Sequence, residues 1–291
     1  MDFKRRVKIV HRAISLLTLL ATIFLFISFI SSFDMINGYF IDGIFPTLFK
    51  LSFVLGIVFS FACISSLKKQ EIIKSSNELN NLKYIYIALA IALVIGASIH
   101  YSLATSMYAN LILIGVDCFA LFILFCAISK DNEYYHLKLI CLLLSTLFPL
   151  PIVIDNNSVM HRHSNSVENT LMSVFAIAFL IYILYEGKRI FTEEHSRWHF
   201  ASMLLLTHIG FSMSISYIMV YLMDIATEKT RFLQMILVFI VSLFVEIELI
   251  RFTKVAESHT KEEWDEMEAP EEIVIEEIQT EENIDIEKTD D

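Results

Sequence analysis

Apolar residues run along this chain in eight long blocks separated by short polar gaps. About 20 such residues, rising 1.5 Å each, cross roughly 30 Å of hydrocarbon. The blocks cover residues 13 to 33, 47 to 66, 84 to 105, 108 to 129, 138 to 154, 170 to 186, 200 to 223 and 232 to 250. They predict an all-α, polytopic transmembrane bundle of about eight spans within residues 1 to 254, followed by an acidic tail, 255 to 291. The fifth and sixth blocks, about 17 residues each, sit at the lower limit for a spanning helix.

Lysine and arginine fall at alternate gaps. The N-terminal arm, the second, fourth and sixth gaps and the segment after the last block carry 16 of them between Lys4 and Lys254. The other side carries only Lys50, Arg162, Lys229 and Arg231. Because cytoplasmic loops retain positive charge, both termini are expected in the cytoplasm, as in a bacterial inner membrane protein or its equivalent. Tyr84, Tyr108, Tyr134, Tyr135, Tyr185 and Trp198 mark the expected interfaces, where a ring and a polar tip are both satisfied. Lys50, close to Pro46, reads as an anchor whose stem follows lipid while its ammonium reaches the surface.

Composition agrees, with 56% hydrophobic residues and a mean hydropathy of +0.61, outside the range of a soluble core. The net charge of −11 conceals two unlike parts. From Val255 onward 16 acidic residues face 2 basic ones, so the first 254 residues carry a net +3. No nucleic-acid partner is expected. The lipid bilayer is the primary one. The first block has span length and no small-residue cleavage site after it, so it reads as a signal anchor. Cys63, Cys118, Cys126 and Cys141 all lie within blocks, which argues for packing rather than disulfides or zinc.

Function is expected where ionisable groups sit at membrane depth, since each is expensive there without a partner. His100 on the third span and Asp117 on the fourth flank a short connection around Ser106 and Met107. His208, Ser212 and Ser216 share a face of the seventh span by their spacing of four. These five residues outline a candidate polar cavity; small hydroxyl residues are equally the normal surface of packed membrane helices. Glu246 and Glu248, near the inner end of the last span, point to different faces, with Arg251 three residues beyond Glu248 as an ion-pair partner. Pro149 and Pro151 should break or end the fifth span and leave carbonyls that protein or water must satisfy.

Other chemistry is thinly represented. His161 and His163 flank Arg162 in an outer gap and are weak candidates for a transition metal, without the spacing of a zinc motif. Glu193, Glu194 and Arg197 fall near the first motif of CAAX-type membrane proteases. The arginine is one position early and Leu204 stands where a phenylalanine should precede His208, so that family is set aside. No phosphate loop, glycine-elbow serine or H-E-x-x-H is present in the sequence, and no catalytic residue or cofactor is expected. The leading expectation is a small-solute transport or permease-like component. The alternatives are a sensor or assembly subunit whose acidic tail recruits a basic cytoplasmic protein, and an intramembrane lipid-modifying enzyme. Pro270 should end any helix continuing into the tail, beyond which the chain is too acidic to fold alone, although Ile273 to Ile275 and Ile284 to Ile286 could add as strands to a partner sheet.

Overall fold

The computed structural model describes residues 3–34, 39–66, 73–74, 82–104, 108–129, 133–158, 167–192, 194–225 and 228–258. Nine α-helices carry those residues: α1 (Phe3–Ser31), α2 (Ile44–Ser66), α3 (Lys83–Leu103), α4 (Ala109–Ile128), α5 (Tyr135–Leu144), α6 (Pro149–Ser158), α7 (Val167–Thr192), α8 (Arg197–Leu222) and α9 (Lys229–Ser258). With α5 and α6 joined into one span, eight segments among the described residues are long and apolar enough to cross a membrane. The chain has the make-up of a multi-pass membrane protein. The expected acidic tail, 255 to 291, lies almost wholly outside the described residues, as do His161 and His163.

Successive spans run in alternating directions, so α1, α3, α5 and α8 begin, and α2, α4, α7 and α9 end, at one end of the bundle. That end is called the near end and the opposite one the far end. Helices α3, α4, α5 with α6, α7, α8 and α9 pack in this order, and α9 closes back on α3. The result is a six-span ring. The α1–α2 hairpin lies outside it, against α8. Helix α8 therefore touches neighbours on nearly every side, and 78% of its most apolar window is buried. Its sequence has little amphipathic bias for that reason: a helix covered all round needs no polar face.

The middle of the ring is filled by aromatic rings. Phe119 on α4 packs edge to face on Phe179 of α7 at 5.4 Å and on Phe244 of α9 at 5.7 Å. Phe175 stacks on Phe179 and meets Phe148 between α5 and α6. All five are essentially fully buried.

The fifth span is interrupted as its prolines require, but one turn earlier than they stand. A 3-10 turn at Ser145–Leu147 separates α5 from α6, and Pro149 then opens the new helix, the position where its missing N–H is harmless. Hydroxyls help satisfy the loosened turn: Ser145 donates to the Leu142 carbonyl at 2.5 Å and Thr146 to that of Leu143 at 2.8 Å. Gly115 of α4 allows close approach, since a Cβ there would collide with the Leu147 carbonyl carbon and the Phe148 nitrogen. The sixth span, by contrast, is not short. Helix α7 runs 26 residues to Thr192, beyond the expected end at Glu186, because the charged residues of its last turns satisfy one another inside the bundle.

Among the described residues two short antiparallel ladders cap the bundle. Phe33–Asp34 pairs with Tyr39–Phe40 between α1 and α2, and Ile73–Lys74 pairs with Glu194–His195 across the α2–α3 and α7–α8 connections.

Candidate functional site

Two buried polar clusters lie at opposite ends of the ring. At the near end, Glu186 on α7 accepts from Arg189 one turn later, at 3.1 Å from Nε and 2.6 Å from Nη2. Its second oxygen accepts from His199 Nε2 at 2.6 Å. All three are buried. His199 is placed by the start of α8, where Ser196 caps the helix by accepting from the His199 backbone N–H at 3.2 Å. Glu186 is thus a carboxylate with both oxygens engaged by cationic or strongly polar donors, the condition under which a charge persists in low dielectric.

Tyr182, four residues before Glu186 and on the same face, lies over the His199 ring with centroids 6.3 Å apart. Its hydroxyl is fully buried and has no hydrogen-bond partner among the described residues. Across the ring Tyr86 of α3 donates to Glu248 of α9, whose other oxygen lies 3.5 Å from Arg251. Lys138 of α5 is also buried at this end. One end of the bundle therefore gathers polar side chains from four of its spans and α5.

At the far end Arg231, on the first turn of α9, is 2% exposed. Its Nη2 donates to Asn169 Oδ1 of α7 at 3.0 Å and its Nη1 to Gln234 Oε1 at 3.5 Å. Glu168 approaches Nε only to 3.6 Å, and that nitrogen makes no hydrogen bond among the described residues. The Gln234 amide donates to His100 Nε2 of α3 at 3.3 Å. An amide nitrogen can only donate, so this ring nitrogen is the acceptor.

His208 belongs to neither cluster. It sits in the joint between α8 and the α1–α2 hairpin, with Nδ1 2.9 Å from Thr18 Oγ1 and Nε2 3.1 Å from the Phe53 carbonyl oxygen. A carbonyl can only accept, so Nε2 carries the proton, and in the neutral ring Nδ1 takes the hydrogen of Thr18. Ser212 donates to the His208 carbonyl at 2.6 Å. Ser216 lies 2.7 Å from the Ser212 carbonyl and reaches the Thr22 carbonyl of α1 at 2.9 Å. The stripe is thus a seam between helices.

His100, Asp117 and His208 accordingly lie in different surroundings. Asp117 is half-buried on α4, and its Oδ1 has no hydrogen-bond partner among the described residues. Glu246 accepts from His11 of α1 at 2.9 Å, whereas Glu248 turns into the ring. Cys118, Cys126 and Cys141 are free thiols. Among the described residues no group of three His, Cys, Asp or Glu is placed to hold a metal ion.

Sequence reading passed over Glu186, Arg189, Tyr182, Tyr86 and Arg231. The first two stood at an expected span boundary, where charge is ordinary, and Arg231 counted only among the few positive residues of the other side. A usable signal was present: Tyr182, Glu186 and Arg189 recur at intervals of four and three, one face of one helix. Comparison with known family models, with characterised proteins and with solved structures returns no match.

Proposed function

We propose that this chain is a membrane-embedded sensor subunit, in which occupancy of the far-end cluster is transmitted as a change in the near-end cluster. One observation carries the reading: α3, α7 and α9 each contribute to both clusters. Helix α3 lends His100 and Tyr86, α7 lends Asn169 and Glu186, and α9 lends Gln234 and Glu248. Between the clusters the same helices are wedged apart by Phe119, Phe175, Phe179 and Phe244. A closely packed aromatic core favours movement of helices as rigid bodies over passage of a solute. Helix shifts of about 1–2 Å are a standard means of such coupling.

The output partner on this reading is a basic cytoplasmic protein bound by the acidic stretch after Val255, with 16 acidic against 2 basic residues. Transport remains a second reading because Asp117 Oδ1, buried without a hydrogen bond among the described residues, is the kind of group a carried proton or cation would use.

Trp198 separates the two readings. It stacks on Tyr185 at the near end with centroids 6.0 Å apart, and Trp264→Phe would leave it the only tryptophan. In nanodiscs Gln234→Leu, which removes the far-end bond to His100, should shift Trp198 emission. Unchanged emission in a folded variant would overturn the sensor reading. Proton entry into pyranine-loaded proteoliposomes under an imposed potential, lost in Asp117→Asn, would establish transport.

A further inference from the structure

We infer that the far-end cluster is a binding site for a small monocarboxylate, with Arg231 as the group that receives it; the signalling role of such a ligand rests on the sensor reading above. The guanidinium is 2% exposed, yet its hydrogen bonding is poor. Among the described residues only the Asn169 bond at 3.0 Å is of ordinary length, the Gln234 bond is at the 3.5 Å limit, and Nε is buried without one. A desolvated arginine normally holds its counter-ion through two parallel bonds of about 2.7–2.9 Å. Glu168, at 3.6 Å and with its side chain 20% exposed, falls short of that.

The surroundings favour an anion more than Glu168 alone uses. Glu168 and Asn169 stand on the first turn of the 26-residue α7, and Arg231 and Gln234 on the first two turns of the 30-residue α9. Both helices point their positive ends at the guanidinium. Glu168 is at the rim, so it can turn outward to water while a ligand carboxylate takes its place beside Nε. The charge balance of the buried site is then unchanged. The two amides, of Asn169 and Gln234, frame the sides, and His100 behind Gln234 reports the exchange to α3.

A planar, singly charged carboxylate suits one guanidinium fork. A phosphate dianion would bring two negative charges to one positive side chain. Exchange by Glu168 also makes a distinctive prediction: the protein's own carboxylate competes with the ligand, so removing its charge should strengthen binding.

The experiment measures thermal stabilisation of the purified full chain in detergent by acetate and by propionate, against chloride and inorganic phosphate at equal ionic strength. The wild-type protein should be stabilised by both carboxylates more than by phosphate. Glu168→Gln should bind them about tenfold tighter, a gain of about 1.4 kcal/mol, and Arg231→Lys, which keeps the charge without the fork, should bind them much more weakly. Because Glu168→Gln leaves the arginine and its amide bonds in place, it serves even if substitutions of Arg231 fold poorly. Stabilisation by phosphate equal to that by acetate, or no strengthening in Glu168→Gln, would overturn the assignment. Carboxylate binding with Trp198 emission unmoved would support the site and remove the sensor reading alone.

Discussion

The His208 ring occupies the space that a side chain on Gly56 would need: a Cβ at that position would collide with Nε2. Helix α2 thereby comes close enough for the Phe53 carbonyl to accept the imidazole N–H at 3.1 Å. A bulkier residue at 56 must separate the α1–α2 hairpin from α8, break that bond, or both.

Gly56→Ala should therefore lower stability by about 1–3 kcal/mol, the usual penalty for overpacking, and His208→Ala in the same chain should recover part of the loss. Gly115→Ala should be worse and unrescued, because its Cβ would strike the backbone of Leu147 and Phe148 instead of a side chain. Thermal unfolding in one detergent measures each variant, with His208→Ala added to Gly115→Ala as the rescue control. Equal losses at positions 56 and 115 would contradict the two packing arrangements.

Glu186 and Arg189 give a test of the near-end ion cluster. Glu186→Gln leaves Arg189 buried without its carboxylate, a change expected to cost about 3–5 kcal/mol. The double variant Glu186→Gln, Arg189→Met should lose clearly less than the sum of the single losses. Additive losses would mean that the pair is not coupled.

Asp117→Asn should raise the unfolding midpoint. Among the described residues the carboxylate has one buried oxygen without a hydrogen bond, and an unpaired polar group of this kind costs on the order of 1–3 kcal/mol. A fall in stability would show that the carboxylate has a partner that stabilises the fold.

Orientation is checked by labelling. Asp42 and Glu133 are exposed and lie at opposite ends of the bundle. In a cysteine-free background Asp42→Cys should react with an impermeant maleimide added outside intact cells, and Glu133→Cys only after the membrane is opened. The reverse pattern would place the termini outside.

Truncation at Glu268 tests the tail. If the acidic stretch holds a basic cytoplasmic protein, co-purification of that protein should vanish on truncation and, in the intact chain, weaken as salt is raised. Co-purification that survives truncation would move the partner surface onto the membrane helices.

The spans were legible because a helix that crosses hydrocarbon must be apolar over most of its length. The break in the fifth was legible in Pro149 and Pro151, though the 3-10 turn precedes them. Packing order was not. Nothing periodic in α3 says that it closes on α9, and α8, apolar nearly all round, carries no face that names its neighbours. The same limit applied to the polar residues. His208 stood out as a lone imidazole, but its partners, Thr18 and a backbone carbonyl at Phe53, are ordinary in sequence. Glu186 and Arg231 were hidden by their places near helix ends, where charge is expected to be solvated and here is buried instead.

The seam between α1 and α8 also sets a timetable for assembly. Thr18 and His208 are 190 residues apart, so at roughly 5–20 residues per second α1 emerges about 10–40 s before the helix it must join. The α1–α2 hairpin enters the bilayer with its docking strip facing lipid and keeps it so while five further spans are made. Its hydroxyls survive that wait because Thr18 and Thr22 can each bond a carbonyl four residues back in their own helix, at 2.8 Å and 2.7 Å. The arrival of α8 brings His208 Nδ1 within 2.9 Å of the Thr18 hydroxyl beside that private bond, which makes the seventh span the event that converts an early hairpin and a growing ring into a single body.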